Sequence, residues 1–191
     1  MLDKEIIRRI PKVELHEHLD GGLRPETIIE LARERNVTIP STDPVELKEW
    51  FKRGCIQKSL SLYLETFSVT LSVMQDKEAL YRIAKEEILD LAKEHVVYAE
   101  IRFAPELHTK KGLNLEEVVT AVLKGLEAGR KETGTEFGLI LSAMRNEDPS
   151  ISLEVAELAV AFSDRGVVGF DLAGDECGHP PKKHIEAFNY I

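Results

Sequence analysis

The stretch Val96-Val-Tyr-Ala-Glu-Ile-Arg-Phe103 decides the fold class, because β-branched and aromatic residues dominate it over the length of a buried strand. Similar short runs predict three more strands, at residues 12–16, 137–143 and 167–171. Segments with apolar residues at helical spacing lie between these strands. The alternation predicts an α/β protein in which helices cover a parallel sheet.

Four strand-and-helix units are half of the eight in a (β/α)8 barrel, which usually has about 250 residues. No fixed-period repeat and no flexible linker divides the chain, so residues 1–191 are expected to form one domain. The last nine residues begin a helical pattern that stops without a C-cap signal. We therefore expect either a smaller open sheet or a barrel chain that has been cut short. Helices are predicted at residues 26–35, 45–52 and 60–74, and after Asp76, Asn114 and Pro149.

The composition excludes several classes of protein. The chain has 191 residues, 43% of them hydrophobic and 31% charged, which is typical of a folded globular protein. A net charge of −9 argues against nucleic acid as a partner, because proteins that bind a phosphate backbone need a basic face. Cys55 and Cys177 form no metal-binding or redox pair, and no apolar stretch approaches the roughly 20 residues of a membrane span. The first residues carry acids and lack a signal-peptide cleavage site, so we expect a cytoplasmic protein without a membrane partner.

The first candidate for chemistry is His16-Glu-His18, at the carboxyl end of the first predicted strand. Alternate residues of a strand point to the same side, so the two imidazoles can share a metal ion. In α/β proteins the carboxyl edge of the sheet is where active sites gather. A catalytic zinc needs about three protein ligands, so the pair alone is an incomplete site. Taken alone, the spacing leaves ordinary strand-end histidines as the commoner explanation.

Two further segments follow strands and carry polar residues. Asp20-Gly21-Gly22 is a turn in which a carboxylate comes close to the histidine pair, although an Asx turn is the commoner explanation for the segment taken alone. Asp171-Leu-Ala-Gly-Asp-Glu176 places three acids and a glycine after the fourth strand, where solvated charges or helix caps are the ordinary alternative. Arg102 ends the second strand, and we expect it to form a structural ion pair with neighbouring carboxylates.

Together these segments resemble a known family. The segment Lys12-Val-Glu-Leu-His-Glu-His-Leu-Asp-Gly-Gly-Leu-Arg-Pro-Glu-Thr-Ile28 is similar to the opening motif of the adenosine deaminases, which belong to the metal-dependent amidohydrolase superfamily. Met144-Arg145 and Asp171-Leu-Ala-Gly-Asp-Glu176 agree with that family in order and context. Tyr98-Ala-Glu-Ile-Arg-Phe103 resembles its second strand. The other zinc-deaminase class is excluded, because its P-C-x-x-C signature is missing.

The resemblance implies a (β/α)8 barrel that removes the 6-amino group of adenosine or 2′-deoxyadenosine with the help of Zn²⁺, giving the inosine product and ammonia. It implies that His16 and His18 bind the zinc ion, and that His18 also contacts the substrate. Asp20 matches the residue that binds the ribose 5′-hydroxyl, and Gly174 matches the glycine whose backbone N–H meets the purine. The apolar lid of the family falls on Leu60, Tyr63, Leu64 and Phe67.

The departures from the family are as informative as the matches. Its third zinc histidine, its aspartate metal ligand, the glutamate that protonates the ring and a hydroxide-orienting histidine have no counterpart here, so no catalytic residue is assigned in this chain. The chain therefore reads as the amino-terminal half of such an enzyme, inactive or nearly so alone and prone to self-association through its open sheet. Three alternatives remain open: a deaminase of adenine or a modified adenosine, a metal phosphoesterase with a His-x-His strand, and a binding fragment without catalysis.

Overall fold

A computed structural model describes residues 3–56 and 60–191, without the side chains at positions 60–62 and 65. The described residues form one four-stranded sheet in the order β1-β2-β3-β4, and each neighbouring pair is parallel. The strands are β1 Lys12–His18, β2 Val96–Phe103, β3 Glu136–Met144 and β4 Val167–Ala173. The helices are α1 Lys4–Arg9, α2 Pro25–Arg35, α3 Pro44–Cys55, α4 Leu60–Val73, α5 Lys77–Lys93, α6 Leu115–Thr133, α7 Pro149–Ala161 and α8 Ile185–Tyr190.

The parallel α/β architecture predicted from the sequence is confirmed. The second strand has the predicted bounds, whereas β1 and β4 each continue two residues further than their patterns indicated. The helix predicted after Asn114 begins with a full capping box, in which Asn114 and Glu117 bond each other's backbone N–H. Helix α1 was not predicted, because it buries no side chain and has no apolar stripe.

Helices α5 and α6 pack closely against each other, and their contact requires glycine. A Cβ atom on Gly125 would overlap the carbonyl oxygen of Tyr81, and one on Gly129 would lie 2.6 Å from the Cβ atom of Ile88. The two helices therefore approach each other with backbone against side chain. The largest fully buried side chains of the core include Phe103, Leu19, Leu31, Leu80, Ile88, Ile101, Leu126, Leu139 and Leu141. In the described part of the chain, none of the helices combines the length and the apolar composition that a membrane span needs.

Parallel strands align their carboxyl ends at one edge of the sheet, and the register fixes which residues meet there. His18 of β1 pairs with Arg102 of β2, and Ser142 of β3 pairs with Asp171 of β4. The backbone N–H of Leu19 donates to the carbonyl of Arg102 at 3.0 Å, which extends the ladder beyond the last residue of β1. Residues distant in sequence are thus brought within one side-chain length of each other.

Behind this edge, α5 buries a carboxyl group against the turn that follows β1. The side chain of Glu87 is nearly fully buried, and a Cβ atom on Gly22 would overlap its carboxyl oxygens. Burial raises the pKa of Glu87 to about 8, with further increases from the nearby charges of Glu17 and Asp90 and an opposing effect from Arg24. Glu87 is therefore protonated in the folded protein at neutral pH.

This proton makes stability depend on pH. The folded protein keeps this proton up to about pH 8, whereas the unfolded chain releases it near the ordinary pKa of a glutamate. The contribution of Glu87 to the free energy of unfolding is therefore full below about pH 4 and is lost as pH rises toward 8. At about pH 8 we expect Glu87→Gln to have a higher free energy of unfolding than the wild type, measured by urea denaturation. The difference should be about 1.4 kcal/mol for each unit between the two pKa values. That advantage should shrink toward about pH 5. For the exposed control Glu78→Gln, the difference in unfolding free energy from the wild type should not change over this pH range. Parallel profiles of unfolding free energy against pH for the wild type and Glu87→Gln would contradict the prediction.

Candidate functional site

Unpartnered polar atoms concentrate at the carboxyl edge of the sheet. Among the described side chains, six buried nitrogen or oxygen atoms have no hydrogen-bond partner, and all six residues lie at the end of a strand or shortly after it. Native proteins leave few such atoms without a functional reason, because each carries an uncompensated desolvation cost. This edge is therefore the candidate site. The atoms are Asp20 Oδ1, Arg102 Nε, Glu106 Oε2, His108 Nε2, Arg145 Nε and Asp171 Oδ1.

The histidine pair of β1 has the geometry of two neighbouring metal ligands. The Nε2 atoms of His16 and His18 are 3.3 Å apart, and their ring centroids are 5.2 Å apart. Two zinc–nitrogen bonds of 2.0–2.1 Å at a tetrahedral angle would separate their nitrogens by about 3.3 Å. The pair therefore fits two adjacent positions around a zinc ion. Within residues 3–56 and 60–191, no cluster of three or more His, Cys, Asp or Glu side chains completes the ligand set.

Arg102 connects the histidine pair to the rest of the sheet. Its Nη1 atom lies 3.0 Å from Nε2 of His16, and its Nη2 atom lies 2.7 Å from Asp171 Oδ2. Nη2 also donates to the hydroxyl of Ser142 at 3.3 Å. The arginine side chain is only 10% exposed, whereas the Asp171 side chain is 32% exposed and His16 is exposed. The ion pair expected from the sequence is present, and the contact with His16 is an addition to it.

Asp20 lies next to the histidines on the turn that follows β1. Its side chain is 9% exposed, and Oδ1 is 3.7 Å from Nδ1 of His18. Oδ1 has no hydrogen-bond partner in the protein. A buried carboxylate oxygen without a donor is an acceptor that a ligand hydroxyl or amine can satisfy.

A cavity of about 400 Å³ opens beside these groups, which is within the range of sites for small molecules. Of the residues that the resemblance assigns, His18, Asp20, Gly174, Leu64 and Phe67 all line it. His16 does not line the cavity, although its Nε2 atom is 3.3 Å from that of His18. The remaining lining residues are Leu71, Phe103, Ala104, Leu107, Ser142, Met144, Asn146, Ala173 and Asp175.

Two polar residues of this cavity were missed in the sequence. Ser142 and Asn146 belong to β3 and to the turn after it, and both face the same space as Gly174. Strand alternation counted back from Met144 could have indicated Ser142. Asn146 follows the Met144-Arg145 motif directly, but only the fold shows that its turn contacts β4. The backbone N–H of Arg145 donates to the carbonyl of Ala173 at 2.9 Å.

Gly174 has a backbone conformation that other residues rarely adopt. Its φ angle is +99°, in the left-handed region that favours glycine. A Cβ atom there would lie 3.1 Å from Cε of Met144 and 3.2 Å from Oδ1 of Asn146. Glycine is therefore required both for the turn after β4 and for a free approach to the cavity.

Helix α4 supplies the apolar wall, but its residues do not all face the same way. Leu64 and Phe67 line the 400 Å³ cavity, whereas Tyr63 lines a second cavity of about 210 Å³ between α2, α3 and α4. Phe67 and Asp20 line both cavities and so form part of the wall between them. The side chain of Leu60 lies outside the described residues.

The carboxyl end of α4 is tied to the 3₁₀ segment Pro105–His108 that follows β2. The amide of Gln75 donates to the carbonyl of Leu107 at 2.9 Å, and Nδ1 of His108 donates to the carbonyl of Met74 at 2.9 Å. His108 is fully buried, and burial lowers its pKa. Its neighbour Glu106 accepts a hydrogen bond from the backbone N–H of Met144 at 2.8 Å, and burial raises its pKa to about 7. These contacts fix the apolar wall relative to β2 and β3.

Comparisons with known proteins identify the family and the fold of this chain. A family model described as adenosine deaminase matches residues 11–191. Adenosine deaminase 1 of Streptomyces coelicolor is 52% identical over 191 residues, which cover 97% of this chain and 48% of the relative. The chain spans about half the length of the curated relatives that it matches.

Solved structures show the same fold. An amidohydrolase from Burkholderia ambifaria with bound zinc superimposes with a TM-score of 0.85 at 23% identity, over 100% of this chain and 52% of that one, a likeness that shows the fold alone. Arabidopsis ADAL in complex with GMP has a TM-score of 0.82 at 29% identity, over 97% of this chain and 56% of that one. The four strand-and-helix units thus correspond to part of a (β/α)8 barrel, as the sequence predicted. Since the family model covers nearly all of its residues, the chain belongs to the adenosine deaminase family.

Proposed function

We propose that this chain carries the zinc-histidine pair and the nucleoside-binding groups of an adenosine deaminase, which hydrolyses adenosine and 2′-deoxyadenosine to the inosine products. The observation that carries the proposal is that His18, Asp20, Gly174 and Phe67, which the family resemblance picks from distant parts of the sequence, line one cavity. We also propose that residues 1–191 act as a single domain, the amino-terminal half of the barrel.

In this proposal each residue has a distinct task. His16 and His18 would hold the zinc ion, and a bound zinc supplies an activated water molecule at neutral pH. Asp20 accepts a hydrogen bond from the ribose 5′-hydroxyl through the carboxylate oxygen that has no protein partner. The backbone N–H of Gly174 donates to the purine ring. Leu64 and Phe67 cover the ligand and exclude water from the reacting ring.

The charge of the cavity favours a nucleoside over a nucleotide. Among the described residues that line it, His18, Asp20 and Asp175 are titratable and none is Lys or Arg. A 5′-phosphate would therefore meet the Asp20 carboxylate without a compensating cation, at a cost from like-charge repulsion. ADAL binds GMP and IMP in its solved complexes, so AMP is the appropriate competing ligand for a test.

A related adenine deaminase is the second candidate, since an adenine deaminase of Arthrobacter aurescens shares this fold with a TM-score of 0.81 at 28% identity. Free adenine has no ribose and would leave the buried oxygen of Asp20 without a donor. The carboxylate therefore favours a ribosylated substrate. A metal phosphoesterase is separated from both by release of inorganic phosphate from a phosphate ester.

The first experiment measures zinc binding and adenosine turnover by the purified 191-residue chain. We expect weak binding of one zinc ion per chain, because the histidine pair supplies only two ligands. This binding should be lost in His16→Ala and in His18→Ala and retained in His179→Ala, the control for removal of a histidine outside the pair. Turnover, followed by the ultraviolet change of adenosine to inosine, should be at least about 10²-fold below that of a complete deaminase, because a general acid contributes about 10²–10⁴ in rate. Turnover at the full rate would show that a general acid lies among these 191 residues.

The second experiment tests the role of Asp20 by calorimetric titration of the zinc-loaded protein with adenosine, adenine and AMP. Asp20→Asn should weaken adenosine about 10- to 100-fold, since hydrogen bonds to charged groups contribute about 1.5–3 kcal/mol. Adenine affinity should be unchanged, and AMP should gain relative to adenosine. Asp175→Asn, which removes another carboxylate from the same cavity, is the matched control. An equal loss for adenosine and adenine would contradict the assignment.

A third expectation concerns assembly. Strand β1 is an edge of the sheet, and its Val13 and Leu15 side chains are each 56% exposed. Unpaired edges with exposed apolar side chains promote association between chains. We propose that the 191-residue chain self-associates, and that Val13→Lys combined with Leu15→Lys shifts it toward monomer in sedimentation velocity. A wild-type chain that sediments as a monomer at all concentrations would refute this.

A further inference from the structure

A buried histidine that does not line the cavity, His184, holds the turn that follows β3. The residue is 1% exposed, and its Nε2 atom lies 3.2 Å from the carbonyl oxygen of Arg145. A carbonyl oxygen only accepts hydrogen bonds, so Nε2 donates in this contact. The other ring nitrogen, Nδ1, lies 2.6 Å from the hydroxyl of Ser152, which is equally buried. The serine contact fixes the orientation of the ring, so that its Nε2 donor points at the turn.

The turn is held to β4 on its other side by Arg145 itself. The backbone N–H of Arg145 donates to the carbonyl of Ala173 at 2.9 Å, and Nη2 of its guanidinium donates to the carbonyl of Leu172 at 3.3 Å. The histidine comes from a different part of the chain, because it ends the 3₁₀ segment Pro181–His184 that follows β4. The N–H and the side chain of Arg145 are thus bound to the strand, and its carbonyl is bound to the segment beyond the strand.

The peptide unit that His184 holds leads directly into the cavity. A peptide unit is planar, so the carbonyl of Arg145 and the backbone nitrogen of Asn146 move together. Asn146 and Gly174 both line the cavity, and a Cβ atom on Gly174 would lie 3.2 Å from Oδ1 of Asn146. The open space beside Gly174 is therefore bounded by Asn146, whose placement depends on the orientation of this peptide unit.

We propose that His184 is a positioning residue for the nucleoside: its hydrogen bond to Arg145 keeps the peptide unit before Asn146 in the orientation that leaves the backbone N–H of Gly174 open to the cavity. The role of the purine rests on the proposed function, whereas the hold on the turn is a property of the ligand-free protein. His184 does not line the cavity, so it acts on the ligand through the turn.

Loss of the His184 donor changes the balance of forces at the turn. A carbonyl that loses its protein partner is stabilised by turning toward water. Rotation of this peptide unit carries Asn146 with it, and the space beside Gly174 is narrow enough for a small shift to close it. The backbone N–H of Gly174 would then be covered by protein when the purine arrives.

The first measurement is backbone hydrogen exchange in the ligand-free 191-residue protein. It compares two N–H groups that each donate at 2.9 Å across the pair of β3 and β4, Arg145 to Ala173 at the turn and Leu139 to Gly166 at the opposite end. In His184→Leu we expect exchange of the Arg145 N–H to rise by about tenfold or more relative to that of Leu139, because the turn opens locally. His184→Gln should restore the wild-type ratio, since the glutamine amide nitrogen is the same number of bonds from Cα as Nε2 of histidine.

Two further variants separate positioning from a general loss of stability. Val122→Ala removes methyl groups from a fully buried position of α6, so it lowers global stability and should not speed exchange at Arg145 more than at Leu139. His184→Asn keeps an amide for Ser152 but is too short for the Arg145 carbonyl, so it should behave as His184→Leu does and replaces that variant if it fails to fold. A wild-type exchange ratio in these two His184 variants, or failure of His184→Gln to restore the ratio, would overturn the proposal.

Titration with adenosine, with zinc present in all samples, separates this inference from the proposed function. Adenosine should shift the backbone N–H resonance of Gly174 in the wild type and in His184→Gln, and His184→Leu should need about tenfold more adenosine, as expected for one lost hydrogen bond. If the exchange ratio depends on His184 but adenosine leaves Gly174 unchanged in the wild type, the proposed nucleoside site is wrong, and with it the role of His184 toward the purine. If adenosine shifts Gly174 with equal affinity in the wild type and in His184→Leu, the nucleoside site stands and the positioning role is refuted.

Discussion

The candidate site depends on the contacts that the guanidinium group of Arg102 makes. This group reaches from β2 to His16 on β1, to Ser142 on β3 and to Asp171 on β4, so one buried cation joins the carboxyl ends of all four described strands. A cation in a place this poorly solvated needs a carboxylate partner, and the parallel register supplies one in Asp171 opposite Ser142. The sheet therefore fixes the relative positions of these side chains, and the loops add further residues around them.

The sequence predicted the strands best where β-branched residues fill them and worst at their ends. Strand β2 has β-branched or aromatic residues at five of its eight positions and was bounded correctly. The last two residues of β1, Glu17 and His18, have no strand preference of their own. They continue the strand because the neighbouring strand offers hydrogen bonds, as the N–H of Leu19 shows with Arg102. Tertiary pairing decides such ends, and no local pattern encodes it.

The cavity shows the same division between local and tertiary information. Asp20 and Gly174 could be found because each belongs to a motif read along the chain, while Asn146 is recognisable only once the fold places its turn beside β4 and Gly174. The apolar stretch of α4 was treated as one lid, but successive helical residues are 100° apart. Leu64 and Tyr63 therefore face different cavities, and Phe67, which lies between them around the helix, lines both.

The unpartnered atoms of this edge explain how a mostly apolar cavity can discriminate between similar ligands. Its walls are largely Leu, Phe, Met and Ala, which bind any flat ring of suitable size with little selectivity. The oxygen of Asp20 is different, because its desolvation cost is already present in the empty protein. A ligand with a hydroxyl at that point removes the cost, and a ligand without one leaves it in place. The cavity therefore selects ligands that donate a hydrogen bond to this oxygen, and the selectivity is larger the more deeply the acceptor is buried.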